Sequence, residues 1–300
     1  SRNATALWEA ARIRAASQSA VAFRELDRET RFTLAVLSGP PSAYRPLLEH
    51  LVAAEDWTLV HVDHLCLAFA RGKSEPWTVE LTEALANRLP GLDRARFLAG
   101  AGHLLLEAGR NVEARRCLED SLKLESHDPA ALASLAAVDA RQEKWDAALR
   151  RSDEVLARTP GYPAALYVRG QALFALRRNQ EAFAVAEGLL RRHPADPQYL
   201  LLHAKTASAM GDREAEIGSL RKLIAQMQVQ GLPPAGYRIY LGQALSARLD
   251  AEGARREFEL ALSEGGLNPG QTDFARKALD RFRNPDPATP NPRPPTKDSR

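Results

Sequence analysis

Small residues recur at a fixed interval of 34 along the middle of this 300-residue chain. Gly102, Ala136, Gly170 and Ala204 are each 34 apart, and a second series, Ala114, Ala148, Ala182 and Glu216, keeps that spacing twelve residues further on. The apolar pairs Val155-Leu156, Leu189-Leu190 and Leu223-Ile224 follow in step, and Pro160 and Pro194 close two of the units. A fixed period of this length marks a repeat architecture, in which each unit buries its apolar face only against its neighbours. The period therefore replaces the two globular domains that the chain length alone would suggest.

Four units run in one register, 95–128, 129–162, 163–196 and 197–230. A fifth spans 235–268 after the insertion Gly231-Leu232-Pro233-Pro234, with Gly242, Ala254, Phe258, Ala261 and Leu262 at matching offsets. The composition, 45% hydrophobic and 26% charged with only 6% aromatic residues and dominated by Ala, Leu, Arg and Glu, favours helix over strand. Two antiparallel helices per unit account for the small residues. Gly or Ala where the helices cross lets the backbones approach, as Gly102 against Ala114 and Gly170 against Ala182 would. Gly109 and Gly211 fall between the helices, where a left-handed residue ends the first. Pro160 and Pro194 stop the second, because proline lacks the N–H that another turn needs.

A 34-residue helix-turn-helix with small residues at unit positions 8 and 20 and Pro at 32 resembles the tetratricopeptide-repeat (TPR) family. The resemblance implies an all-α fold, a right-handed superhelical α-solenoid, and the holding of a protein or peptide rather than catalysis. The family also favours a small residue at position 27. Ser121 and Ala261 supply it, but Val155, Leu189 and Leu223 stand there in the middle units. Glu216 replaces the small residue at position 20 of the fourth unit, and Ser126 replaces the closing Pro of the first.

Residues 1–94 are expected to be helical, with degenerate TPR-like hairpins. Residues 3–19 read as part of a leading helix, Ala20 to Leu37 and Ser42 to Ala54 as a hairpin around Gly39-Pro40-Pro41, and Trp57 to Ala70 with Pro76 to Leu89 as another broken at Gly72. This region serves either as a cap, which the end of a solenoid requires, or as a docking module. At the other end, 269–283 reads as an amphipathic capping helix carrying Phe274, Leu279 and Phe282, and 284–300 as a Pro-rich tail that cannot build a core.

No Gly-rich phosphate loop, nucleophile elbow, Cys-x-x-Cys or His-Glu-x-x-His motif is present, so an enzyme is not indicated and no cofactor is expected. His61-Val62-Asp63-His64 with Cys66 is the best local metal candidate, on the reading that residues three apart on a helix can share an ion. A metal-dependent sensor or enzyme around His61 and His64 is one alternative; packed His64 and Cys66 with a solvated His61 is the plainer reading, and no metal is expected. Cys66 and Cys117 are too few for a disulfide framework. Pro292-Arg293-Pro294-Pro295 looks like a polyproline ligand and Asn3-Ala4-Thr5 like a glycosylation sequon, but a solvated tail and an accidental match are the plainer readings. A net charge of +3 gives no strong pull toward nucleic acid or anionic lipid, and nucleic-acid binding, the other alternative, would need basic residues along one face. No apolar run is long enough to insert in a membrane. The chain opens at Ser1 without a Met, which leaves open a signal peptide or anchor ahead of it; homo-oligomerisation is also open. The excess of Arg over Lys suggests a bacterial source, and the expected setting is a multiprotein, envelope-associated assembly.

The resemblance also implies a site. In the family the first helices line a concave groove, with unit positions 2, 5, 9, 12 and 13 facing it. Carried over, these give Arg96, His103 and Glu107 from the first unit, Arg141 from the second, and Tyr167, Gln171 and Phe174 from the third. The fourth gives Gln198, Leu201 and Lys205, and the fifth Ile239 and Gln243. Ala130, Ala133, Ala137 and Ala164 leave room beside them. Members that grip chaperone tails use a clamp of Lys, Arg and Asn; Ala99, His103, Ser134, Ala164 and Val168 stand at those positions, so such tails are not the expected ligand.

Overall fold

The computed structural model describes residues 20–39, 44–72, 75–230 and 232–283. The leading segment 3–19, the sequon and the tail 284–300 lie outside them. The chain divides into two compact units, 1–176 and 177–300, the division falling between the two helices of the third repeat.

In the first unit the repeat helices are α4 (Gly91–Glu107), α5 (Asn111–Leu124), α6 (Pro129–Arg141), α7 (Trp145–Arg158) and α8 (Pro163–Ala175). The second holds α9 (Asn179–Arg192), α10 (Pro197–Met210), α11 (Arg213–Val229), α12 (Ala235–Ala247), α13 (Ala251–Glu264) and α14 (Pro269–Arg283). Every second helix of a repeat begins at unit position 17. Three first helices open with proline at N1, where the missing N–H is no loss, and the Asp128 and Asp196 carboxylates accept N–H bonds at the helix starts. The connecting turn passes through a left-handed residue at position 15 each time: Gly109, Glu143, Arg177, Gly211 and Leu249. Glycine removes the strain at only two of the five.

The helices cross closely at Gly102 and Gly242, both at position 8. A Cβ on Gly102 would sit 2.6 Å from Leu118 Cγ and 3.2 Å from the Ala114 carbonyl oxygen, and one on Gly242 would sit 2.7 Å from the Phe258 ring. The partner of position 8 is thus position 24 as much as position 20. Positions 8 and 24 hold Ala136 and Ser152 in the second repeat, Gly170 and Ala186 in the third and Ala204 and Leu220 in the fourth, so the two volumes are not traded in a fixed way. Glu216, the departure at position 20, is buried with its carboxylate 2.6 Å from Arg213 Nη1, which compensates a charge that would otherwise be expensive to bury. Asp139 is buried likewise between Arg115 (2.5 Å) and Arg151 (2.7 Å), joining α5, α6 and α7. In the fifth repeat Arg238 is held by Glu257 and Glu264.

Upstream of the repeats the expectation of all-helical hairpins is corrected. Helix α1 (Ala20–Thr30) is followed by strand β1 (Leu34–Ser38), helix α2 (Arg45–Ala53), strands β2 (Trp57–Val62) and β3 (Cys66–Arg71), and helix α3 (Val79–Ala86). The strands form an antiparallel sheet in the order β1-β3-β2. Trp57 to Ala70 is therefore a β-hairpin and Ala20 to Leu37 a helix running into a strand. Alternation explains it: Leu37, Leu67, Phe69, Trp57 and Leu59 line one face and enter the core. Thr82 ties α3 to the sheet, accepting from Trp77 Nε1 at 3.0 Å and donating to the Val62 carbonyl at 2.9 Å. One apolar core runs from Phe23 through the sheet into the first repeat and on to Val138. The N-terminal region thus continues the hydrophobic packing of the solenoid. Arg116 on α5 pairs with Glu80 and Glu83 on α3, and Arg110 stacks over Trp77.

In the second unit α14 lays Leu279 and Ala275 into the core of the fifth repeat, with Phe274 and Phe282 around Phe258 at ring separations of 6.1 and 6.4 Å.

Candidate partner-binding face

In the first unit the groove positions fall on α4, α6 and α8. Arg96, His103 and Arg141 are exposed, and Tyr167, Gln171 and Phe174 are half-buried along α8 at spacings of four and three, which puts them on one side of the helix. Ala130 and Ala164 are exposed beside them, whereas Ala133 is in the core.

Glu107 is not a free groove carboxylate. Its side chain is largely buried and lies 2.5 Å from Arg45 Nη2 and 3.9 Å from Arg141 Nη2, while Arg141 also donates to the Leu106 carbonyl. Arg45 opens α2 in the N-terminal region and is a site residue that no repeat register can reveal. Its partner is 62 residues away, and only the tertiary packing brings them together. Two guanidiniums around one carboxylate leave a net positive spot, with His103 beside it, Nδ1 3.4 Å from Ser134 Oγ.

Electrostatics follow from this crowding. Although His103 is exposed, the packing around its ring strips part of its hydration and lowers its pKa; Glu107 opposes the shift, and Arg45 and Arg141 reinforce it. The neutral imidazole is therefore favoured, able to donate one hydrogen bond and accept another. Tyr44, beside Arg45, is buried with its hydroxyl unpartnered among the described residues, and burial followed by the Glu107 charge raises its pKa.

In the second unit Gln198 and Lys205 on α10 and Gln243 on α12 are exposed, and Leu201 is half-buried. Ile239 is corrected: at 4% exposure it belongs to the core with Phe258 and Leu279. Position 5 points inward there, as it does at Ala99 and Ala133, and α14 packs over the same cluster. His203 on α10 faces inward too, its Nδ1 2.8 Å from Ser219 Oγ and its ring 4.6 Å from that of Phe183.

The helical metal reading also changes. His61 and His64 are not neighbours on one helix; His61 lies in β2 and His64 in the β2–β3 turn, its ring 5.1 Å from that of Phe97 on α4 and tilted by 45°. Cys117 is fully buried and its thiol is pushed up to about 12 by burial, which makes it an inert packing residue. Both cysteines are free. Among the described residues no helix is long and apolar enough to cross a membrane.

Within each unit the repeat helices pack in consecutive pairs and present the exposed side of each first helix. Residues 139–206, which run from the second repeat into the fourth, match the model of a tetratricopeptide-repeat family. Solved structures similar to this chain include PilF of Pseudomonas aeruginosa, 17% identical over 64% of this chain and 90% of that one, with a TM-score of 0.53. YrrB, described as a TPR protein with an unusual peptide-binding site, is 14% identical over 67% and 100%, with a TM-score of 0.50. MamA of Desulfovibrio magneticus RS-1 is 20% identical over 62% and 94%, at 0.49. At these identities the likeness is one of fold. No curated protein matches the sequence.

Proposed function

We propose that this chain is a non-catalytic scaffold that takes a segment of a partner protein against the first-helix face of its repeats and organises a multiprotein assembly at a bacterial envelope. The observation that carries the reading is the pattern on α4, α6 and α8. One side of each helix is sunk in the core, while the other presents Arg96, His103, Arg141, Tyr167, Gln171 and Phe174 with exposed alanines between them. Such a surface has apolar anchors, hydrogen-bonding groups and room for a chain. The second unit, taken by itself, presents Gln198, Lys205 and Gln243 exposed and Leu201 half-buried on its own first helices. A peptide-binding site on the same fold in YrrB supports the reading by analogy of architecture.

The test is a pull-down from separately prepared envelope and cytosolic fractions, comparing the wild-type chain with a Tyr167→Ala, Gln171→Ala, Phe174→Ala variant. Partners should come from the envelope fraction and be lost from the variant. A folded variant that keeps every partner refutes the face, and partners drawn only from the cytosol refute the location.

A further inference from the structure

The β2–β3 turn gathers three donor groups of different kinds on the sheet face turned away from the core. Strict alternation from Trp57 and Leu59 would send His61 inward, but a register shift between Leu59 and His61 reverses the phase. Val62 is then fully buried in its place, and His61 turns outward, paired across the strands with Ala68. Cys66, two residues from Ala68 and opposite Ser38, shares that outer face. Asp63 closes the turn. Its Oδ1 accepts from the N–H groups of Leu65 (2.7 Å) and Cys66 (2.8 Å), which leaves Oδ2 3.1 Å from His61 Nε2. The ligand atoms of His61, Asp63 and Cys66 all lie within 4.8 Å of one another, and none of the three residues is fully exposed.

We propose that His61, Asp63 and Cys66 bind one divalent transition-metal ion of the zinc type. An imidazole nitrogen, a carboxylate oxygen and a thiolate sulfur form a donor set that suits zinc and is poor for magnesium or calcium, which take oxygen. Bond lengths of roughly 2.0–2.3 Å in a tetrahedron put donor atoms about 3.3–3.6 Å apart. His61 Nε2 and Asp63 Oδ2 are already near that separation, and the Cys66 sulfur closes on them by rotation of a short side chain. The two backbone N–H groups on Asp63 Oδ1 hold the carboxylate in place, as supporting bonds do around metal ligands. On binding, the Cys66 S–H bond is replaced by a metal–sulfur bond and the proton passes to solvent; the fourth position is left to water. A filled site would stiffen the turn that carries His64, whose Cβ would lie 2.7 Å from a Cβ on Gly100. Metal would thereby brace the N-terminal region against α4.

Cobalt(II) titration of the full chain, freed of any polyhistidine tag and kept reduced, tests this. The expected result is a thiolate-to-cobalt absorption band that saturates at one ion per chain and is displaced by zinc. Cys66→Ser should abolish it, His61→Ala or Asp63→Asn should weaken cobalt binding by about tenfold or more, and Cys117→Ser should leave it unchanged. Zinc should also slow alkylation of Cys66 in the wild-type chain, a readout that needs no variant to fold. A missing band, a band that survives Cys66→Ser, or an unaltered alkylation rate overturns the proposal.

Discussion

Replacing Gly102 by alanine probes the helix crossing with opposing effects of known size. Alanine in a helix interior is better than glycine by about 1 kcal/mol. Against that, the new Cβ would lie 2.6 Å from Leu118 Cγ, 2.9 Å from its Cδ2 and 3.2 Å from the Ala114 carbonyl oxygen. Leu118 and Ala114 are fully buried, and the nearest atom is a branch carbon held close to the α5 backbone rather than a mobile tip. Overpacking of such a site costs about 1–3 kcal/mol, and here the upper part of that range applies. The net expectation is a loss of about 1–2 kcal/mol after the propensity gain is subtracted. Gly218 in α11 is the internal control, because a Cβ there meets nothing within 4 Å. Gly218→Ala should stabilise by about 0.5–1 kcal/mol. Urea unfolding followed by circular dichroism measures both, with hydrogen exchange in α4–α5 and α11 locating each change, since a repeat array need not unfold as one unit. Equal gains from the two substitutions would refute the close crossing and with it the assignment of position 8.

Asp139→Ala strips the shared carboxylate from Arg115 and Arg151 at the junction of α5, α6 and α7. It should cost about 3 kcal/mol, read as a lower urea midpoint, because Arg151 loses its carboxylate partner and Arg115 is left with the more distant Glu119. The pH dependence follows from His50 and His203, whose pKa values burial lowers below the ordinary imidazole range. The unfolded chain then binds more protons than the folded one, so this stability is present above about pH 6.5 and is lost as pH falls from there toward the lowered folded-state values. Unfolding midpoints should drop between pH 7 and pH 5, and His203→Gln should reduce the drop; a flat profile contradicts the assignment.

What was legible in the sequence followed the period. Pro129, Pro163 and Pro197 start first helices at the expected unit boundaries, and Asn111, Trp145, Asn179, Arg213 and Ala251 start second helices at one common position. Repetition makes each unit testify for the others, so local ambiguity averages out. The N-terminal region has no such support. Leu34–Ser38 and Cys66–Arg71 are short apolar runs rich in Leu and Ala, which periodicity cannot distinguish from buried helix. Their strand character comes from pairing with each other across some thirty residues, as Leu37 with Leu67. The β-branched run around Val60 and Val62 and the turn-forming Asp63 were the available signals for β2. The site divides in the same way. Arg96, His103 and Arg141 are exposed at positions that the repeat register alone picks out, whereas the Arg45–Glu107 pair depends on contact between segments that no register relates. Ile239 is buried because unit position 5 faces the core, as it does at Ala99 and Ala133, and α14 packs over the same cluster.

The most direct measurement of the scaffold role is site-specific photo-crosslinking from the first-helix face. A photoreactive residue at Gln171 should capture the same partner that the wild-type pull-down retains, and one at the exposed second-helix positions Glu119 or Glu154 should not. Capture from 119 or 154 with none from 171 would contradict the account.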